Sequence, residues 1–302
     1  MKNGYKTEFY YEKRGTDSTL VKQQSYYKSN QPMEEIHYRS GQFHGIHTLW
    51  YENGQIRTQQ SYNKGLPSGT WTWWDPKGRI DSTAHFSNGK LHGSLTAFYD
   101  NGHEKIIKKF KKGKPHGLWI WYSTTSQKDS QIVYTHGVLD GPTTVWYPDG
   151  NVRYVKRYSE DRLHGKSTYF YEDGIRKQVQ RFKHGLPHGT WKWWNEYGYL
   201  DSQKVYFSGH LHGTSKRWND QGILVSEERY RNGSKEGICK YFYQNGQIRA
   251  IKRYHSDELE GKSILWGENG TRKSEQQFLA GLEHGKSVRW YSSGRIWSET
   301  QY

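Results

Sequence analysis

Cysteine, methionine and long hydrophobic runs are the scarcest features of this sequence. It has one cysteine and two methionines. Because Cys239 is alone, an internal disulfide and a zinc site built from cysteines are excluded, and we expect a reducing compartment, the cytoplasm. No run approaches the roughly 18 apolar residues that span a membrane. The N-terminal stretch MKNGYKTEFYYEKRG has no apolar core, so we expect no signal peptide.

Sequence motifs of catalysis are also missing. The chain has no phosphate-binding loop before a helix, no nucleophile elbow and no metalloprotease motif. Its acidic residues are scattered, whereas glycoside hydrolysis needs two carboxylates in one cleft. We therefore expect a protein that is not an enzyme and that has no cofactor and no small-molecule substrate.

Aromatic residues take the place of aliphatic ones. Only 32% of the 302 residues are hydrophobic and the formal net charge is +15, a combination typical of disordered chains. Aromatic residues, however, make up 16% of the chain, and disordered chains contain few of them. We expect a fold that buries rings, and the 33 glycines favour strands and turns over helices.

Glycine recurs at a fixed interval. We call each of these residues an anchor glycine and number repeat positions from it, starting at zero. Position five is aromatic and position 17 is Tyr or Phe in all eleven repeats, while position nine is glycine in ten. Such a period predicts a repeat architecture. The anchors are 24 residues apart, at Gly45, Gly69, Gly93, Gly117, Gly141, Gly165, Gly189, Gly213, Gly237, Gly261 and Gly285.

Each repeat is predicted to be a β-hairpin. The first strand is a segment such as IHTLWY, the turn is ENG, and the second strand is a segment such as QIRTQQSY. A three-residue loop that ends in glycine predicts a type I turn with a bulge, and this turn sets position five opposite eleven and position four opposite twelve. Positions four and twelve vary together, which favours this register, in the pairs Trp73 and Asp81, Trp121 and Asp129, and Trp193 and Asp201.

Strict alternation along the strands predicts two different faces. Positions three, five, eleven and 17 are expected to share the core face, since each hairpin can bury its rings only against its neighbours. Positions two, four, twelve, 14 and 16 are expected on the opposite, more variable face. This places Trp74 and Trp194 in the core, and the Trp-x-Trp residues before them on the second face.

These patterns predict an all-β fold, an elongated single-layer antiparallel sheet of about 12 tandem β-hairpin repeats of 24 residues. Residues 1–44 are predicted to be degenerate N-terminal capping repeats. Asn30 there takes the place of the turn glycine, because Asn tolerates the left-handed conformation. Residues 45–302 are predicted to form one continuous domain of eleven in-phase repeats.

The pattern G-x-W-x-W-x-x-x-G-x-x-x-S, followed by aromatic-x-x-G-x-x-x-G, resembles the MORN repeat. It is most similar to the bacterial variant with units of about 24 residues, and YENGQIRTQQSYNKGLPSG (51–69) and YQNGQIRAIKRY (243–254) are good instances. The resemblance implies a scaffold or adaptor, in some members near membranes, or an antitoxin or immunity protein. Glycine is replaced at Ser126, Asp161 and Asp257, where we expect local changes in the turns.

Two sets of residues are candidates for partner binding on the second face. Exposed tryptophans beside Arg can stack on bases or anchor a protein, but they can also pack against Lys and Arg stems. Basic columns can follow phosphates or an acidic partner, but they can also keep a strand-rich protein soluble. The candidates are Trp71, Trp73, Trp119, Trp121, Trp191 and Trp193, with Arg57, Lys105, Arg153, Lys177 and Arg249 at position twelve and Lys109, Arg157, Arg181, Arg229 and Arg253 at position 16.

Histidine precedes the anchor glycine in seven repeats, but we expect loop hydrogen bonds and no metal there. Neighbouring repeats are about 10 Å apart, too far for imidazoles to share a metal, and no acidic column accompanies them. The best function from sequence is a non-catalytic scaffold that binds a protein through a basic, Trp-bearing face, as an adaptor, inhibitor or antitoxin. Binding of nucleic acid by the same face is the second hypothesis, and binding of an anionic membrane surface is the third.

Overall fold

The computed structural model describes residues 6–302, and every regular element in that range is a β-strand. These strands form tandem antiparallel hairpins, so the predicted all-β repeat fold is confirmed. They group into two compact units, one that ends at Gly150 and one that begins at Asn151. Residues 1–5 of the predicted N-terminal cap lie outside the described part of the chain.

The first unit contains the following strands: β1 (Lys6–Arg14), β2 (Asp17–Tyr26), β3 (Pro32–Arg39), β4 (Gln42–Phe43), β5 (Gly45–Trp50), β6 (Ile56–Asn63), β7 (Leu66–Pro67), β8 (Gly69–Trp74), β9 (Ile80–Ser87), β10 (Lys90–Phe98), β11 (Glu104–Lys111), β12 (Lys114–Pro115), β13 (Gly117–Tyr122), β14 (Lys128–Thr135) and β15 (Val138–Trp146).

The second unit contains the following strands: β16 (Val152–Ser159), β17 (Arg162–Leu163), β18 (Gly165–Phe170), β19 (Arg176–Lys183), β20 (Leu186–Pro187), β21 (Gly189–Trp194), β22 (Leu200–Phe207), β23 (His210–Leu211), β24 (Gly213–Trp218), β25 (Leu224–Arg231), β26 (Ser234–Lys235), β27 (Gly237–Phe242), β28 (Ile248–His255), β29 (Glu258–Trp266), β30 (Arg272–Leu279), β31 (Leu282–Glu283), β32 (Lys286–Trp290) and β33 (Ile296–Gln301).

The turn inside each hairpin has the predicted form. Tyr51 O accepts a hydrogen bond from Gly54 N at 2.9 Å, and Tyr51 N donates to Gln55 O at 2.8 Å. Gly54 has a φ of 85°, the left-handed conformation that completes a type I turn with a glycine bulge. Asn30 has a φ of 63° at the equivalent position, which confirms that it substitutes for the turn glycine.

The other replaced glycines do not change their turns, contrary to our expectation. Ser126 keeps the hydrogen bond to Ser123 O and adopts a φ of 64°. Asp161 and Asp257 likewise adopt φ values of 62° and 70°. The surrounding hairpin therefore imposes the left-handed conformation on these side chains, and the backbone bears the strain.

Consecutive hairpins are joined by a second, tighter turn. Lys64 and Gly65 lie between the paired residues Asn63 and Leu66, with φ values of 51° and 74°. Two central residues with positive φ define a type I′ turn, whose twist matches that of the flanking strands. Gly65 N also donates to Phe43 O of the preceding repeat at 2.8 Å, so successive turns are hydrogen-bonded to one another.

The predicted register is correct beside the turn and wrong beyond it. Trp50 pairs with Ile56, as predicted for positions five and eleven, but Leu49 pairs with Thr58 and not with Arg57. Position four is therefore opposite position 13, and the residue at position twelve is the extra residue of a β-bulge. The bulge recurs at Lys105, Lys177 and Arg249.

A bulge adds one residue to the second strand. Every side chain after position twelve therefore lies on the face opposite to the one that strict alternation predicts. Position 17 lies with positions two and four, since Trp71 and Phe86 have ring centroids 4.6 Å apart. We call positions two, four, twelve, 13, 15 and 17 the ladder face. Positions one, three, five, eleven, 14 and 16 form the opposite face, so the predicted placements of positions 14, 16 and 17 are wrong.

The predicted core face is wrong in part: position three keeps buried residues such as Val288, which is 8% exposed, but most of the buried side chains lie on the ladder face. Ala84, Cys239 and Ala250, with exposed fractions of 2%, 0% and 3%, lie on the ladder face. On the opposite face Ile80, at position eleven, is 44% exposed. Burial is therefore concentrated on the face that carries the Trp-x-Trp pairs, although all of those tryptophans remain partly accessible.

Candidate functional site

The first tryptophan of each Trp-x-Trp pair is part of a stack of rings. Trp191 lies between Phe182 of the preceding repeat, at 5.1 Å, and Tyr206 of its own repeat, at 4.7 Å. Trp71 and Trp119 are placed in the same way. Because position-17 rings contact both sides of these indoles, the position-two tryptophans contribute to packing and offer little free ring surface to a partner.

A hydrogen bond fixes each of these indoles to the backbone. Trp191 Nε1 donates to Arg181 O at 2.8 Å, and the same carbonyl accepts His188 N at 2.9 Å. Trp71 and Trp119 donate to Ser61 O and Lys109 O at 2.9 Å. These bonds, together with the ring contacts on both sides, assign the position-two tryptophans a structural role, although the indoles remain partly accessible.

The second tryptophan of each pair has a different environment. In most repeats the side chain at position four is large and the side chain at position 13 is small. Along a row that crosses neighbouring strands, large and small side chains therefore alternate, as in Leu49, Thr58, Trp73 and Ser82. Position-four side chains therefore stand about 10 Å apart with small residues between them. One resulting cavity, of about 380 Å³, is lined by Leu49, Thr58 and Trp73 together with Arg57 and Asp81.

The position-twelve cations line these cavities. Arg249 and Lys273 border a cavity of about 420 Å³ with Tyr241, Ala250 and Leu265. The cations are exposed, and several lie over the tyrosine at position six, with distances to the ring centroid of 6.0 Å for Arg57, 5.5 Å for Lys105 and 5.0 Å for Lys177. Arg153 is exposed at the same repeat position. The predicted position-twelve cations and the second tryptophans thus share one surface.

The position-16 cations lie on the opposite face, so the structure divides the predicted site into two. One of them, Arg181, is directly opposite the position-one residue Lys166. The aliphatic parts of their side chains pack over the next anchor glycine. At Gly189, for example, an added Cβ atom would lie 3.4 Å from Arg181 Cδ. Among the described residues we find no ion pair for the members of this column, Lys109, Arg157, Arg181, Arg229 and Arg253.

In the repeats that have tyrosine at position six, its hydroxyl can tie the repeat to the next one near the position-nine turn. Tyr51 Oη donates to Trp74 O at 2.9 Å, and Tyr171 Oη donates to Trp194 O at 2.9 Å. The same bond recurs from Tyr27, Tyr99 and Tyr243. These bonds hold the position-five rings and the position-twelve cations at a fixed spacing from one repeat to the next.

One cluster on the ladder face was not predicted. Glu228 accepts hydrogen bonds from Lys235 Nζ and Tyr230 Oη at 2.8 Å, and from Tyr241 Oη at 2.9 Å. Burial opposes ionisation of Glu228, but the hydrogen bonds outweigh it and hold the pKa of this carboxyl below its usual value. Burial and the bond to Glu228 raise the pKa of Tyr230 to about 12. The correct register would have placed these side chains together.

Most of the histidines before the anchor glycines lie in the one-residue break between two strands, while His92 lies within β10. The predicted loop hydrogen bond has a long counterpart at His116, whose Nδ1 is 3.4 Å from His136 N, with ring centroids 5.2 Å apart. The prediction is wrong for His44, His164 and His188, whose Nδ1 atoms are buried without a hydrogen-bond partner among the described residues. In residues 6–302 no group of three or more His, Cys, Asp or Glu side chains is arranged to hold a metal ion. Nor does that range contain a helix long and apolar enough to cross a membrane.

Comparison with known protein families gives a match for three of the repeats. The family model of the MORN repeat variant matches residues 43–64, 163–184 and 235–255. No curated protein matches the chain. Among solved structures the chain is similar to TcdB2-TccC3, with 10% identity and a TM-score of 0.19 over 94% of this chain and 21% of that one. This chain thus spans about a fifth of that protein's length.

Two further structures illustrate the range of these similarities. The Photorhabdus luminescens Tc holotoxin pore is 11% identical, with a TM-score of 0.18, over 94% of this chain and 20% of that one. A porin-like protein from Bacteroides uniformis is 8% identical, with a TM-score of 0.18, over 93% of both chains.

Proposed function

We propose that this chain, whose repeats are MORN repeat variants, is a non-catalytic scaffold that binds a protein along its ladder face. The observation that carries the proposal is the alternation of large and small residues at positions four and 13. It creates cavities such as that beside Trp73, each bordered by an exposed position-twelve side chain. Aromatic anchors in pockets beside Arg or Lys are typical of protein interfaces.

The charge pattern favours a protein over a nucleic acid on this face. Position twelve alternates in sign in the first unit, from Arg57 to Asp81, Lys105 and Asp129. A polyanion needs an unbroken row of cations, whereas a folded protein can match both signs. The position-two indoles are also already packed on both sides, so they are poorly placed to stack on bases.

An adaptor, an inhibitor and an antitoxin would each use such a surface, and the identity of the partner decides among these roles. We place the protein in the cytoplasm, where the buried Cys239 thiol would remain reduced. The opposite face supports a second candidate function, the binding of a nucleic acid or an anionic membrane surface. Its supporting observation is the like-charge pair Lys166 and Arg181, which is unfavourable unless an anion neutralises it.

Two matched charge-reversal variants test the proposal. The first carries Arg57→Glu, Lys105→Glu and Arg249→Glu on the ladder face, and the second carries Arg157→Glu, Arg181→Glu and Arg229→Glu on the opposite face. Both change the net charge equally, and all six residues are exposed. The tagged wild-type chain and both variants are used to capture partners from nuclease-treated lysate of the source cells, and eluates are analysed by mass spectrometry.

We expect a stoichiometric protein that the wild type and the opposite-face variant retain and the ladder-face variant loses. Loss with the opposite-face variant alone would overturn the choice of face. Capture of nucleic acid before nuclease treatment, with no protein afterwards, would replace the scaffold by the nucleic-acid hypothesis. Sedimentation with anionic vesicles that only the opposite-face variant abolishes would support the membrane hypothesis.

A further inference from the structure

As at Arg289, the aromatic row on the ladder face is interrupted at Arg217. This residue takes the place of the usual aromatic or aliphatic residue at position four, and it pairs with Ser202 on one side and Ser226 on the other. Position two of the same repeat is occupied by the buried Ser215, whereas the preceding repeat has Trp191 at this position. The missing bulk leaves a cavity of about 430 Å³ between Trp193 and Tyr241.

The side chains around this cavity carry an excess of positive charge. Its lining includes Lys204, Arg217 and Arg249, none of which has an ion pair among the described residues. Its one acid, Glu228, is already neutralised by Lys235 at 2.8 Å. Three exposed cations therefore border one cavity without a paired acid, and the positive potential there attracts an anion.

The other polar groups suit the same kind of ligand. Two serine hydroxyls, from Ser215 and Ser226, lie in the lining and can donate hydrogen bonds to an oxygen anion, whereas the hydroxyl of Ser202 already donates to Asp201 Oδ2 at 3.0 Å. The Arg217 guanidinium offers a planar pair of donors, which matches the two oxygens of a carboxylate. The hydroxyl of Tyr241 is committed to Glu228, so it positions the wall of the cavity and is not a free donor.

We propose that this cavity receives the carboxylate of an Asp or Glu side chain from an acidic segment of the partner, with Arg217 as its main ligand. The inference rests on the proposed protein-binding function, which it deepens by naming the chemistry of one anchor. The cavity, of about 430 Å³, lies in the same row as the position-four anchors, so an extended acidic segment can reach both. Lys204 and Arg249 then flank the bound carboxylate.

A titration that needs no captured partner tests the inference. Acetylated hexaglutamate is titrated into the full-length chain by isothermal titration calorimetry at low salt, with hexaglutamine as the uncharged control peptide. The variants are Arg217→Ala, Arg217→Lys and the matched control Arg181→Ala, which removes one exposed cation from the opposite face. Urea unfolding of each variant verifies that the fold is retained.

We expect Arg217→Ala to weaken hexaglutamate binding by about ten- to a hundredfold, the cost of a lost charged hydrogen bond. Arg217→Lys should recover part of this loss, and Arg181→Ala should change the affinity less than twofold, since it acts only through distant charge. Equal losses for Arg217→Ala and Arg181→Ala would overturn the inference, because binding would then be diffuse.

A phosphorylated peptide shows whether the cavity prefers a phosphate or a carboxylate. If a doubly phosphorylated hexapeptide depends on Arg217 while hexaglutamate does not, the carboxylate assignment is wrong. Neither result decides whether a protein partner is captured by the ladder face. If hexaglutamate does not bind but a protein partner is captured, only the proposed carboxylate site is wrong. If hexaglutamate binds but no protein partner is captured, only the proposed scaffold function is wrong.

Discussion

Trp191 and Tyr206 lie on the same face of the sheet, and their ring centroids are 4.7 Å apart. These residues belong to repeat positions two and 17, and the contact joins one of the three position-two indoles to the column of Tyr and Phe rings at position 17. A sheet of hairpins has few fully buried side chains, so partly accessible ring stacks of this kind supply much of its apolar burial. The position-two tryptophans are therefore the first place to test what stabilises the fold.

We predict that Trp191→Ala destabilises the protein more than Trp194→Ala does. Trp191 loses contacts with two rings and a backbone hydrogen bond, whereas Trp194 lies on the more exposed face under Arg176. The expected cost for Trp191→Ala is about 2–4 kcal/mol, somewhat below that of a fully buried tryptophan. Urea unfolding followed by circular dichroism measures both values. A larger loss for Trp194→Ala would restore position five as the core.

Replacing a strained serine by glycine should stabilise the chain. Ser126 adopts a φ of 64° at position nine, where ten other repeats have glycine. Ser126→Gly removes this strain and is expected to raise the free energy of unfolding by about 0.5–1 kcal/mol, net of the entropy that glycine adds to the unfolded chain.

The matched control for this change is Gly102→Ser at the same position of the preceding repeat. Gly102 has a φ of 81°, and a Cβ atom added there would meet no other atom within 4 Å, so the substitution tests the backbone alone. We expect a loss of about 1 kcal/mol. The same sign of change in both variants would show that backbone strain does not control stability at this turn.

The tyrosine hydroxyl that bridges repeats should contribute measurably to stability. Tyr171→Phe removes the 2.9 Å bond to Trp194 O and keeps the ring over which Lys177 lies. We expect a loss of about 0.5–1.5 kcal/mol, the net value of one hydrogen bond. Native-state hydrogen exchange would show the loss nearest the Gly174 turn. A variant as stable as the wild type would mean that water replaces the hydroxyl without cost.

The repeat, the hairpin and its turn could be predicted from the sequence because each depends on local chemistry, namely the glycine period and the position-nine turn. The faces could not, because they depend on one extra residue. Nothing in the sequence around Arg57 marks it as the extra residue of a bulge. If the side chains are assumed to alternate strictly past this residue, position 17 is assigned to the opposite face instead of the ladder face. The covariation of positions four and twelve was real but indirect, since Trp73 and Asp81 border one cavity without being paired across the strands.

The same error concealed the cavity at Arg217. With position 13 opposite position four, Ser202 and Ser226 flank Arg217, and the sequence then shows a cation with small neighbours in a row of rings. In the predicted register its neighbour was Val225, and nothing in that pair suggested a binding site. The sequence therefore supplied the position-twelve cations and the Trp-x-Trp residues as candidates, but neither Arg217 nor the geometry of its cavity.

The last prediction concerns pH and the Glu228 cluster. Hydrogen bonds from Lys235, Tyr230 and Tyr241 outweigh the effect of burial and lower the pKa of Glu228 from its ordinary value of 4.5. A carboxyl with a lowered pKa in the folded state stabilises the fold above the unfolded pKa, and this stabilisation disappears as the pH falls through the folded value. Glu228→Gln should therefore cost about 1–3 kcal/mol at pH 7 and progressively less below pH 4.5.

Urea unfolding of the wild type and Glu228→Gln at pH 7, 5, 4 and 3 measures this difference directly. Glu227 provides the matched control, because its carboxylate is paired with Lys216 on the opposite face at 3.0 Å and belongs to a simple ion pair. Glu227→Gln should cost less than about 1 kcal/mol at pH 7, as surface pairs do. If the loss for Glu228→Gln were the same at every pH, the carboxylate charge would not be what this cluster uses, and the tyrosine hydroxyls alone would account for its stability.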